Sequence, residues 1–258
     1  MDKATWTGLV VAAGGIVVGL LLEGGNLKQI LQPTAALIVF GGTAGAILIQ
    51  YPWPIVSGAF QRLAEVFFER KRNADQWINS LVEFAKQARR DGIVSLDAEL
   101  NRIEQPFLRR ALMLAVDGTE PQELRKMMEL LISNQAEHDE HYPAVFESAG
   151  GFSPTIGIIG AVLGLIQVMQ HLDKIDEVGR GIAVAFVATI YGVAAANLFL
   201  LPAAGKLKIR IRQDQIVQEL LLEGVVSILE GMNPHMLEAK LHGFLAEAAT
   251  ENEQRSAA

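Results

Sequence analysis

Cysteine is absent from all 258 residues. The chain therefore has no disulfide, no thiolate metal ligand and no thiol nucleophile. A surplus of positive charge is also missing, since 22 Lys and Arg stand against 29 Asp and Glu, a formal net charge of −7. Phosphate binding needs a cationic face, so nucleic-acid binding is excluded as the main task. There is no Ser-His-Asp order, no P-loop and no dinucleotide fingerprint. An enzyme is not expected, nor is an organic cofactor. No alternating strand pattern occurs either, so the expected class is all-α.

The absence with the widest consequence is that of charge inside four long apolar stretches, at 4–22, 33–56, 148–170 and 181–205. About 20 helical residues at 1.5 Å rise cross a hydrocarbon core of roughly 30 Å. Half the chain is hydrophobic, and 20% is charged. Together these values predict a multi-pass membrane protein with a soluble part. The first stretch is not read as a signal peptide. Its n-region offers only Lys3, offset by Asp2, and no A-x-A site follows.

Lys and Arg near the span ends set the orientation. Only Lys28 lies in the link after the first stretch. Arg62, Arg70, Lys71 and Arg72 follow the second. Lys174 and Arg180 follow the third, mixed with acids, and Lys206, Lys208, Arg210 and Arg212 follow the fourth. Both termini and the segment 57–147 are therefore expected on the cytoplasmic side of the membrane. The arrangement is two hairpins, 4–56 and 148–205, with a helical insert at 57–147 and a tail at 206–258.

The insert has helical periodicity. Trp77, Leu81, Phe84 and Ala88 form one apolar stripe; Leu124, Met127, Met128 and Leu131 form another. Thr119 with Gln122 predicts a capping box ahead of the second helix, after an Asp117-Gly118 turn. In the tail, Ile216 with Leu220 and Val217 with Leu221 stack at i, i+4. The last residues, 248–258, are small and polar and are expected to fray.

No Asp, Glu, Lys, Arg or His lies within any of the four stretches. Ionisable groups at depth mark ion paths. A chain lacking them either conducts nothing or takes its carboxylate from a partner helix. The neutral polar groups at depth are Thr155, Gln167, Thr189, Tyr191 and Asn197. Small residues crowd the second, third and fourth stretches, with Gly157, Gly160, Ala161 and Gly164 in the third. Such residues let helices approach closely where lipid gives no hydrophobic drive. Ser153-Pro154 reads as the N-cap and first position of the third span, or as a hinge. Pro202 reads as a helix stop, or as a second hinge. In the insert, the run from Ala88 to Glu99 places Arg89 and Arg90 before Asp97 and Glu99, split by Gly92. By itself it is a solvated turn. His138 and His141 beside acids resemble a metal pair without further ligands, and a polar helix end is the simpler reading.

Ser153-Pro154-Thr155-Ile156-Gly157-Ile158-Ile159-Gly160-Ala161-Val162-Leu163-Gly164-Leu165 resembles the third span of MotA/PomA-type flagellar stator subunits. The segment from Gly181 to Gly192, with Asn197 and Pro202 after it, resembles their fourth, and the run from Ala88 to Asp97 resembles their cytoplasmic segment. The resemblance covers essentially the whole chain. It implies a homo-oligomeric ring, a pentamer, around a MotB/PomB-type single-span partner carrying a membrane aspartate. It also implies proton or sodium flow coupled to torque, and contact with the rotor's switch-complex protein. Carried over by position, Pro154 and Pro202 match the functional prolines and Thr189 the threonine near the ion path. Arg89 matches the rotor-facing base, with Arg90 beside it. Asp97 matches the acid where Glu is usual, and Glu99 stands close by as the alternative. Sodium-driven members carry hydroxyls where this chain has Ala161 and Ala188. Their loss implies protons as the coupling ion. TolQ/ExbB-type energisers share the third and fourth spans more loosely, with three spans in all. A non-conducting membrane scaffold is the third reading.

Overall fold

The computed structural model describes residues 3–68 and 74–256, with side chains through 246. Arg70, Lys71 and Arg72, used above for orientation, lie outside the described residues. Every described element is helical. In order they are α1 (Lys3–Leu22), α2 (Pro33–Gln50), α3 (Trp53–Phe67), α4 (Ala74–Asp91), α5 (Asp97–Leu100), α6 (Pro106–Val116), α7 (Pro121–Gln170), α8 (Ile175–Leu229) and α9 (Pro234–Ser256). Short 3₁₀ turns lie at Leu27–Gln29 and Ile93–Leu96.

The chain divides into two compact units, 1–70 with 139–210, and 71–138 with 211–258. The first contains α1, α2, α3 and the apolar parts of α7 and α8. Four helices, α1, α2, α7 and α8, are long and apolar enough to cross a membrane. Most of their apolar side chains face outward, and α1 buries none of its own within the chain. Such a surface is a liability in water and a requirement in hydrocarbon. The link after α1 turns at Gly24, whose φ of +77° suits a residue without Cβ. A capping box follows, in which the Asn26 side chain accepts from the Lys28 amide (3.0 Å) and Gln29 accepts from the Asn26 amide (3.2 Å).

The second apolar stretch departs from its predicted 33–56 extent. Helix α2 ends at Gln50, Tyr51 is extended, and α3 starts at Trp53. Pro52 explains the break, because proline forces the preceding residue out of the helical region. Helix α3 is amphipathic, burying Val56, Ala59 and Val66.

The second unit has a core of its own. Ile78, Leu81 and Ala85 of α4 meet Leu108 and Leu112 of α6, Leu124 and Met128 of α7, Leu220, Leu221 and Val225 of α8, and Leu237 and Leu241 of α9. Burying a large apolar side chain is worth about 1.5–3 kcal/mol. The tail is thus part of the insert's core, and its backbone stays helical through Ser256 instead of fraying. Residues 257–258 lie outside the described part. Helix α7 starts at Pro121, one residue later than the predicted cap implies, so Glu120 takes the place given to Thr119.

Two helix-boundary readings are corrected. Ser153-Pro154 does not open a helix, because α7 runs unbroken from Pro121 to Gln170 with Pro143 and Pro154 inside it. Pro202 does not stop α8. A π-helical turn at Ala196–Leu200 precedes it, in which the Leu201 amide reaches the Ala196 carbonyl. That wider turn lets the helix pass a residue without an N–H.

Candidate functional site

In the first unit, α7 and α8 run antiparallel along their small residues. A Cβ on Gly157 would lie 2.9 Å from the Ala188 carbonyl oxygen, one on Gly164 2.7 Å from that of Gly181, and one on Gly192 2.5 Å from that of Ser153. Backbone meets backbone along the whole seam, which requires the glycines. Ser153 is buried and donates from its Oγ to the Gly192 carbonyl at 3.1 Å, tying the two helices at the level of Pro154. Pro154 has no N–H, so the Gly150 carbonyl lacks its helical donor there. Pro143 does the same to Asp139.

The three residues assigned to an ion path are distributed unequally. Ala188 is fully buried within this chain, against Gly160 of α7 and beside Ala35 and Val39 of α2. Ala161 and Thr189 are half-buried. The Thr189 hydroxyl donates to the Ala185 carbonyl at 3.2 Å, leaving its oxygen able to accept. Tyr191 donates to the Ile30 carbonyl (2.5 Å) and accepts from the Gln32 amide (3.3 Å), pinning α8 to the link before α2. Asn197 bonds its own helix, donating to the Val193 carbonyl at 2.9 Å. Pro202 lies on the exposed side of α8.

In the second unit, Arg89 and Arg90 occupy the last turn of α4, and Gly92, at φ +85°, reverses the chain into the 3₁₀ turn before α5. Arg90 is engaged by Asp91 at 2.8 Å. That hydrogen bond raises the Arg90 pKa above its ordinary value and lowers that of Asp91. Glu99 pairs with Arg102 at 3.2 Å. Arg89 and Asp97 are both exposed, and neither has an ion pair among the described residues. The structure therefore separates an available base and acid from two neighbours already paired.

Sequence reasoning missed two polar clusters. Arg62 of α3 forks onto Asp139 of α7 (3.1 and 3.2 Å), reaches Glu65, and lies over the Tyr142 ring. Asp139 is nearly buried there. Asp139 stands between His138 and His141, the pair read above as a polar helix end, and among the described residues no group of three or more such side chains could hold a metal. In the second unit Glu223 accepts from Arg125 at 2.8 Å and from Lys240. Burial pushes its carboxyl up, and the two cations more than offset this, so its pKa is lowered overall. Only a spacing match between separate helices could have revealed either cluster.

Two family models match the chain. The description MotA/TolQ/ExbB proton channel family covers residues 99–220, and Motility protein A N-terminal covers 6–92. Motility protein A of Bacillus subtilis is 34% identical over 246 residues, which is 95% of this chain and 91% of the relative. The solved structure of C. jejuni MotAB matches with a TM-score of 0.89 at 36% identity, covering 95% of this chain and 96% of that one. The flagellar MotAB stator complex of Bacillus subtilis matches with a TM-score of 0.84 at 33% identity, covering 93% and 94%.

Proposed function

The chain belongs to the MotA/TolQ/ExbB proton channel family, as a relative of motility protein A along nearly its whole length, and on that premise we propose that it couples proton flow across the inner membrane to torque on the flagellar rotor. The carrying observation is the chargeless membrane unit. Its four apolar stretches hold no Asp, Glu, Lys, Arg or His, yet α7 and α8 are fitted together backbone to backbone. Moving a proton across hydrocarbon requires a titratable group, so this chain requires a partner to supply one. A MotB-type single-span subunit with a membrane aspartate, encircled by a ring of this chain, meets that need. We take the ring to be a pentamer, with both termini and the unit containing 71–138 in the cytoplasm.

By the resemblance we assign Thr189 and Ala161 to the ion path, with Ala188 packed behind them against Gly160. A dehydrated sodium ion needs several oxygen ligands, whereas a proton needs only an acceptor and a polar path. Ala161 and Ala188 bring no oxygen, and Thr189 brings one, which favours protons. Pro154 and Pro202 serve as hinges, since each interrupts the amide ladder of a long helix. Arg89 and Asp97 face the rotor, because Arg90 and Glu99 are paired within the chain. A TolQ/ExbB-like energiser is disfavoured by the four long apolar helices and by the match of 6–92 to the motility protein N-terminal region.

The test is copurification of the chain with a single-span partner from an adjacent reading frame, followed by a count of copies. A complex with several copies of this chain around the partner supports the reading. A chain that assembles stably alone, and supports no motility when the partner is restored, overturns it.

A further inference from the structure

The first unit encloses a cavity of about 710 Å³ between α2, α3, α7 and α8, within the range of roughly 300–1,000 Å³ typical of ligand sites. Its walls include Phe40, Ile47, Val145, Phe146, Ala149 and Phe199. Four hydroxyls also line it, and each donates its proton to a carbonyl of the chain. Thr43 donates to Val39 at 2.6 Å, Ser57 to Pro54 at 3.1 Å, Ser153 to Gly192 at 3.1 Å and Tyr191 to Ile30 at 2.5 Å. No hydroxyl proton is left for an occupant, and the other side-chain donor on the wall, the Trp53 indole N–H, belongs to a residue that is 68% exposed. A water molecule needs two to four polar partners, so a site of this kind stays dry or takes hydrocarbon.

The cavity also reaches the outside. Phe40, Leu48 and Trp53 line it and are themselves 53%, 50% and 68% exposed. They belong to the outward apolar surface of the first unit. Trp53 and Tyr51 stand at the break between α2 and α3, and such aromatic residues favour the headgroup level of a bilayer. A lipid entering beside them would keep its polar end at the interface and place its tail among the apolar walls.

We propose that this cavity is a lipid site holding an acyl chain of a membrane phospholipid, seated against Ser153 and so beside Pro154. The site depends on the chain being a membrane protein and is independent of the motor reading.

The test uses the full chain, purified with its partner and reconstituted into vesicles of phosphatidylethanolamine and phosphatidylglycerol. A small fraction of the lipid carries a photoreactive diazirine midway along one acyl chain. After illumination, adducts are mapped by mass spectrometry. The expected result is labelling at Val145, Phe146 and Ala149, which are 2%, 2% and 7% exposed and beyond the reach of lipid that merely surrounds the protein. Filling the cavity with Ala44→Phe, or more gently with Ala194→Leu, should cut that labelling at least tenfold while leaving adducts on outward-facing Leu37 and Ile49. Labelling of Leu37 and Ile49 alone in the unmodified protein overturns the proposal. So does a cross-link from Ala149→Cys to a second copy of the chain, which would make a neighbouring subunit the occupant.

Discussion

At the residue scale, Pro154 and Gly192 should respond in opposite ways to substitution. Proline inside a helix costs about 3 kcal/mol relative to alanine. Pro154→Ala supplies the amide that the Gly150 carbonyl lacks, so the variant should melt at the same temperature as the parent or higher. If the missing bond is a hinge, the same variant should turn the motor slowly or not at all. Melting of the detergent-purified complex, together with tethered-cell rotation, separates the two effects. Normal rotation would remove Pro154 from the mechanism. Gly192→Val instead drives a side chain into the Ser153 carbonyl, 2.5 Å from the Cβ position. Neither backbone can yield without opening the seam, so a loss of roughly 1–3 kcal/mol or more is expected. It should appear as reduced protein in membrane fractions, and undiminished levels would contradict the packing described.

At the scale of elements, Glu223 ties α8 to α7 through Arg125 and to α9 through Lys240. Its folded pKa lies below its unfolded reference of 4.5. The stabilisation is therefore present above that reference and is lost as pH falls through the folded value. Thermal melting of the purified protein should therefore show an acid-side decline that is shallower in Glu223→Gln. At neutral pH that variant should be weaker by about 1 kcal/mol, since one partly exposed ion network is lost. An identical pH profile in the variant would show that Glu223 is not the group responsible.

The helices themselves were largely legible in the sequence, because apolar length and 3.6-residue periodicity are local properties. The stripe through Leu81 and, in the tail, Val217, Leu220 and Leu221 pack into the core. What the sequence hid was non-local or depended on tolerance. The seam between Gly157 and Ala188 joins two helices whose glycines, taken singly, fit any packing. Pro154 and Pro202 carry ordinary boundary signals, and only the surrounding helices allow α7 and α8 to continue through them. The site residues were nominated by resemblance. The structure adds which of them are already paired, leaving Arg89 and Asp97 exposed.

At the scale of the whole molecule, the apolar stretches carry no charged side chain, and the second unit exposes a base and an acid in Arg89 and Asp97. If Arg89 and Asp97 meet a charged rotor surface, their role is steering and registry, and it depends on the sign of charge. Arg89→Asp combined with Asp97→Lys should therefore abolish swimming on soft agar while leaving the membrane-assembled amount unchanged. Wild-type spreading would sink the rotor contact, and loss of the protein would point to a structural role. Proton-driven torque is read most directly from tethered-cell rotation in a strain lacking other stators, expressing this chain with its single-span partner in sodium-free potassium buffer. Rotation should persist without sodium and stop within seconds of adding a protonophore. Cells that stay still with both subunits assembled in the membrane, or that turn only in sodium and ignore the protonophore, would contradict proton-driven torque.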